Sequence, residues 1–173
     1  MTGLLEGKNV LVTGAANSRS IAWSVAKAVK EHGGSVALTY QAERLRRRVQ
    51  TLADELGGVP MIELDVSSDE AVRRAIDELA EHMPVLDGLV HSIAWAPAHD
   101  LQGSFVATTR DGFAQANDIS SYSLIAASRE ARRLMTHGGA IVTMTYAGSW
   151  RVVPNYNVMG PAKASLELSL IHI

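Results

Sequence analysis

The chain has 173 residues, 47% of them apolar and 20% charged, enough for one domain with a sizeable core. Its formal net charge of −2 supplies no electrostatic reason to bind nucleic acid or an anionic membrane, and the absence of cysteine excludes disulfide and thiolate-metal frameworks. No apolar run is long enough to span a bilayer, and Met1 to Lys8 lacks the basic start and apolar core of a signal peptide, so a cytoplasmic location is expected.

Short apolar runs alternate with amphipathic stretches. Asn9 to Thr13 reads as a buried strand ending at Gly14. Ser20 to His32 reads as a helix with Ile21, Val25, Ala28 and Val29 on one face, and Gly33 and Gly34 follow it, where a helix C-terminus favours glycine. Ser35 to Tyr40 is the second strand, and Leu45, Val49, Leu52, Ala53 and Leu56 mark the next helix. Met61 to Leu64 is the third strand. A serine cap at Ser67 or Ser68, with Asp69 and Glu70 in the first turn, opens a helix whose apolar positions are Val72, Ala75, Ile76, Leu79, Ala80 and Met83. Gly88 to Ser92 is the fourth strand, a long helix from about Asp111 to Met135 follows, and Ala140 to Tyr146 is the fifth strand. A last helix starts near Asn157, but Pro161 lacks an N–H and moves its expected start to Val158 or Met159. Strand alternating with helix in this way predicts an α/β fold: a Rossmann-type doubly wound parallel sheet, three layers deep, without a second domain.

Ligands of such sheets bind beyond the carboxyl ends of the strands. After the first strand, Gly14 to Ile21 forms a small-residue turn feeding a helix N-terminus, where backbone amides would meet a pyrophosphate. It has one glycine in place of the usual three, and a plain strand-to-helix turn explains it equally well. The second strand ends at Gln41, neutral but able to hydrogen-bond a ribose hydroxyl, and no Arg or Lys directly follows it to meet a 2′-phosphate, which favours NADH over NADPH. Arg44, Arg46, Arg47 and Arg48 lie nearby, where they would overturn that preference if they met a 2′-phosphate, but they read as a solvated helix face. Asp65 and Val66 close the third strand; Asp65 would accept from an adenine amino group or serve only the following helix start. The fourth strand ends in His91 to Pro97, small enough in places for a cofactor ribose to approach, with His91 read as a buried, hydrogen-bonded side chain.

The fifth strand ends at Tyr146; ten residues later comes Tyr156, and seven after that Lys163. Seven residues is two helical turns, which would place Tyr156, Met159 and Lys163 on one helix face. A phenol beside an ammonium is a feasible proton donor or oxyanion partner, if the cation biases the phenol pKa downward. The spacing alone is unremarkable; the position after the fifth strand is what singles it out.

Taken together, NDISSYS at Asn117 to Ser123, PNYNVMG at Pro154 to Gly160, AKASLE at Ala162 to Glu167, HSIAWAP at His91 to Pro97 and the first turn resemble the bacterial enoyl-acyl-carrier-protein reductases. These belong to the short-chain dehydrogenase/reductase class, whose ordinary members place the lysine four residues after the tyrosine rather than seven. The resemblance runs from about Leu5 to Glu167. It implies that Gly14, Ser20, Ile21, Gln41, Asp65, Val66, Ile93 and Lys163 hold NADH, with NADPH the lesser alternative. It implies that Ala96 contacts the acyl thioester, and that Tyr146, Tyr156 and Lys163 are the catalytic residues. The implied reaction reduces a trans-2-enoyl thioester on acyl carrier protein, in fatty-acid biosynthesis, within a homotetramer; no metal is expected. Trp95 stands where the family commonly has phenylalanine, and the bulkier ring would reshape the acyl pocket.

After Glu167 the likeness stops, and Leu168 to Ile173 reads as a non-native tail, a string that transposon adapter DNA would encode. On that reading residues 1–167 form one incomplete reductase domain. The fifth strand would then be a bare apolar edge, and the 173-residue chain is expected to be poorly soluble and inactive. Two other readings stand beside this one: a short-chain reductase acting on a carbonyl, and a dinucleotide-binding regulator without catalysis.

Overall fold

A computed structural model describes residues 3–173. The stretch read for a leader begins with Met1 and Thr2, which lie outside the described residues. Strands β1 (Asn9–Val12), β2 (Ser35–Tyr40), β3 (Met61–Glu63), β4 (Gly88–His91) and β5 (Ala140–Thr143) are all parallel, in the order β3-β2-β1-β4-β5. The chain works outward from β1 through β2 to β3, then returns to β4 on the other side of β1. This reversal is the topological switch point of a doubly wound sheet. Val10 pairs with Val36 on one side and Gly88 on the other, so all strand carboxyl ends share one edge.

Both faces of β2 are covered, since every residue from Val36 to Tyr40 is buried. Val10, Leu11 and Val12 of β1 are buried as well, each apolar side chain contributing roughly 1.5–3 kcal/mol. Such continuous apolar runs are what a parallel sheet requires. Among the described residues β5 is an edge strand of the sheet, with Val142 49% exposed.

Helix α1 (Ile21–Glu31) is capped by Ser20, whose Oγ accepts from the Trp23 amide, and Gly33 just beyond its end has φ +88°. Its buried face is Ala22, Trp23, Ala26 and Val29, a correction to the face expected from the sequence. Ile21 is 64% exposed. The two alanines, fully buried, let the backbone approach its neighbours more closely than a stripe led by Ile21 would allow. α2 (Glu43–Glu55) buries Val49, Leu52 and Ala53 and leaves its arginines exposed. α3 (Asp69–His82) is capped by Ser68 and buries Val72, Ala75, Ile76 and Leu79, as the periodicity predicts.

The long helix expected from Asp111 to Met135 is interrupted. α4 (Arg110–Asn117) passes into a π-helical segment, Asp118–Tyr122, and then α5 (Ser123–Ala131). The Ser123 hydroxyl donates to the Ile119 carbonyl at 2.7 Å, a local competitor of the helical ladder. The last helix, α6 (Met159–Ile171), begins late with Pro161 in its first turn, as the missing N–H dictates. It runs without a break past Glu167 to Ile171.

Backbone contacts group the chain into two compact units. One is Met1–Ser92 with Ser128–Thr143, which holds the sheet, α1, α2 and α3; the other is Ile93–Ala127 with Met144–Ile173, which holds α4, the π segment and α6.

Candidate active site

In the unit that holds the sheet, Gly14, Ser20, Gln41, Asp65 and Val66 all lie just past the carboxyl ends of β1, β2 and β3. Gly14 has φ +81°, and a β-carbon there would overlap the Ser92 carbonyl oxygen. Only glycine fits, so the first turn presents bare backbone. The Asn17 side chain accepts from the Arg19 amide at 2.8 Å, and the Ser20 hydroxyl donates to the Asn17 carbonyl at 2.7 Å. The turn is thus preset to deliver the chain into α1 with its N-terminus facing out. Gln41 is exposed. Asp65 Oδ1 accepts from the Ser67 amide at 3.0 Å and hydroxyl at 2.7 Å, so the local role weighed for it from the sequence is present. Its other oxygen is not engaged in that turn. His91 is fully buried, its Nδ1 2.9 Å from Thr143 Oγ1, in keeping with its structural reading.

The second unit begins with the segment carrying Ile93 and Ala96. The Trp95 amide donates to Ser120 Oγ at 2.9 Å, and that hydroxyl donates to the Trp95 carbonyl at 3.0 Å. Ser120 sits in the π segment, so the NDISSYS run braces the loop after β4. Ser121 donates to Ser165 of α6 at 2.9 Å. Ala96 and Leu101 pack on a small buried cluster of Ala116, Val158 and Ala162. Trp95 itself is 49% exposed.

Tyr146, Tyr156 and Lys163 come together in the same unit. The Tyr146 and Tyr156 rings meet edge to face, centroids 5.0 Å apart and planes at 64°. Lys163 is 5% exposed and donates from Nζ to the Met144 carbonyl at 2.7 Å. The helical argument for the pair needs correction, because Tyr156 precedes α6 and lies in a turn. Asn155 (φ 60°) and Asn157 (φ 27°) flank it in left-handed backbone, which asparagine tolerates better than most residues. Asn157 Nδ2 holds this turn by donating to the carbonyls of Gln102 at 3.1 Å and Gly103 at 3.2 Å. A tight polar turn, not a shared helix face, aims the phenol.

Electrostatics differ from the expectation too. Burial raises the Tyr156 pKa, with Tyr146 and Glu167 adding to the rise, so the cation does not bias it downward. The phenol is therefore held protonated at neutral pH, as a hydrogen-bond donor should be. Burial of the Lys163 ammonium pulls its pKa from 10.5 to about 8, against the opposing charge of Glu167.

Three contributors escaped the sequence reading. Gly148 gives the Tyr156 ring its room: a β-carbon there would stand 2.5 Å from Tyr156 Cε1. Gly160 passes under it, where a β-carbon would be 2.9 Å from the Gly148 oxygen. Glu167 accepts a hydrogen bond from the Thr145 hydroxyl. The Asn-Tyr-Asn run was the available signal for the turn; nothing in the sequence distinguished Gly148, and the AKASLE run that ends at Glu167 gave that residue no role.

The family model described as enoyl-(acyl carrier protein) reductase matches residues 14–171, beyond Glu167, where the likeness was expected to stop. The enoyl-acyl-carrier-protein reductase (NADH) FabI of Enterococcus faecalis is 48% identical over 169 residues, 98% of this chain and 67% of that protein. The crystal structure of the Bacillus cereus enoyl-acyl carrier protein reductase with NADP+ and indole naphthyridinone is 46% identical, with a TM-score of 0.96 over 98% of this chain and 67% of that one. The reductase from Anaplasma phagocytophilum in complex with NAD is 42% identical, with a TM-score of 0.96 over 99% of this chain and 66% of that one. The chain thus spans about two thirds of the length of these relatives, in the Rossmann-type fold they share. With a family match across most of its length and near-identical topology, the chain belongs to the enoyl-(acyl carrier protein) reductase family.

Proposed function

We propose that the protein carrying these residues is an NADH-dependent oxidoreductase acting on the CH–CH group of trans-2-enoyl thioesters in fatty-acid biosynthesis. The observation that carries this reading is the trio of Tyr146, Tyr156 and buried Lys163, held by the Asn155–Asn157 turn and α6.

The residues fit a nicotinamide dinucleotide. Gly14 leaves bare backbone where a β-carbon would block the turn, and the Ser20-capped end of α1 favours a pyrophosphate. Ile21, Gln41, Asp65, Val66 and Ile93 would complete the cofactor contacts, with neutral Gln41 favouring NADH. When bound, NADH supplies hydride to the substrate's β-carbon. Tyr156 donates to the thioester oxygen, where negative charge builds as the enolate forms, and a donor kept protonated by burial suits that task. Lys163 is protonated below about pH 8. Its ammonium has three donors; one serves Met144, and the others would grip ribose hydroxyls. Tyr146 supports the Tyr156 ring from its edge, and Ala96 would border the acyl thioester. Protonation at the α-carbon completes the reduction.

Acyl carrier protein is the proposed bearer of the substrate, the cytoplasm the proposed location and a homotetramer the proposed assembly, all on family likeness. Residues 1–167 are proposed as one reductase domain. No helix among the described residues is long and apolar enough to cross a membrane. The test has two parts. NADH binding is measured on the chain itself, and turnover on the chain joined to the remaining third of the Enterococcus relative. Tyr156→Phe should lower turnover by about 10²-fold or more while leaving NADH affinity within about threefold. Equal losses in both would refute the role given to Tyr156.

A further inference from the structure

We propose that Glu167 is a positioning residue, clamping the Tyr146 segment to α6 beside Lys163. This rests on the catalytic reading above, because the residues it positions are the trio. Two adjacent residues after β5 are tied to two residues one helical turn apart. Met144 is held through its carbonyl by Lys163 Nζ at 2.7 Å, and Thr145 through its hydroxyl by the Glu167 carboxylate. Lys163 and Glu167 are separated by four positions, so they lie on one face of α6. The pair of ties fixes the direction in which the chain enters Tyr146, whose ring then meets Tyr156 at 5.0 Å. Neither tie alone would do so, since one contact leaves the segment free to pivot about it.

Charge gives the clamp a second effect. The titratable groups whose charges bear on one another here are Tyr146, Tyr156, Lys163 and Glu167. Among them Glu167 is the carboxylate. The Thr145 hydroxyl holds its pKa down, so it remains ionised at neutral pH, and its charge opposes the loss of the Lys163 proton. A lysine that must grip hydroxyls as a cation needs such a counterweight to burial. A glutamine would keep an oxygen for Thr145 but carry no charge, so the two effects separate by substitution.

The experiment uses neither cofactor nor enoyl substrate, so its outcome is independent of whether the reductase reading holds. The 173-residue chain is labelled competitively with acetic anhydride across pH, and each lysine is read by peptide mass, with Lys8, Lys27 and Lys30 as internal controls. In parallel, amide hydrogen exchange is followed over residues 144–149. Glu167→Gln should raise the labelling rate of Lys163 near neutral pH by about threefold, with the controls unchanged and exchange preserved. Glu167→Ala should also speed exchange over 144–149 by about tenfold. Thr145→Val should speed exchange alike while leaving the charge in place, and it reports on the clamp even if the alanine variant misfolds. An unchanged Lys163 labelling profile in Glu167→Gln, or exchange unaffected by Thr145→Val, overturns the proposal.

Discussion

Burying an ammonium should leave a signature in the pH dependence of stability, and Lys163 is the place to look. Its folded-state pKa is about 8, against 10.5 for an ordinary lysine, and its side chain is 5% exposed, so solvent screening is slight. Between those two values the unfolded chain holds the proton and the folded chain has released it. Folding stability therefore rises with pH across that window. At about pH 7 both states are protonated, and the cost of burial stands at about 3 kcal/mol, from 1.36 kcal/mol per pKa unit. At about pH 9.5 the same linkage leaves about 1.4 kcal/mol, so the relief on going from pH 7 to 9.5 is about 2 kcal/mol. The perturbation is Lys163→Met, which keeps the stem volume and removes the charge. Urea unfolding of both proteins is followed at intervals over that range, and the difference in their free energies is plotted against pH. Taking the difference cancels tyrosines and other groups common to both. The methionine variant also forfeits the bond to Met144, which shifts its whole curve without changing the slope. A difference that stays flat to within about 0.5 kcal/mol would refute the reasoning, because it would mean the folded chain keeps the Lys163 proton as well as the unfolded one does.

Two substitutions test the cramped backbone. Gly148→Ala should displace the Tyr156 ring, lowering stability by about 1–3 kcal/mol and turnover of the completed chain by about 10²-fold; unchanged turnover would show that the ring does not depend on that space. Gly14→Ala combines a positive φ with overlap at the Ser92 carbonyl, so it should cost about 2 kcal/mol or more and abolish measurable NADH binding in calorimetry.

Much of the framework was determined by the sequence alone. Parallel strands buried on both faces must be apolar throughout, so β1, β2 and β4 announced themselves, and Ser20, Ser68 and Pro161 marked helix starts because each changes which backbone N–H groups need partners. The family likeness needed only the order of residues in a few short runs. What the tertiary structure decided is how those runs act. A periodic pattern cannot register the extra residue of a π segment, so the break between α4 and α5 was invisible, and with it the role of Ser120 in bracing Trp95. Seven residues between Tyr156 and Lys163 implied a common helix, yet two asparagines in left-handed backbone turn the chain there. The direction of the Tyr156 pKa shift likewise depended on burial, which is a property of everything packed around the ring. Gly148 lies outside the recognised motifs and Glu167 closes one without a role assigned to it, and their parts follow from distances across the chain that no local sequence signal encodes.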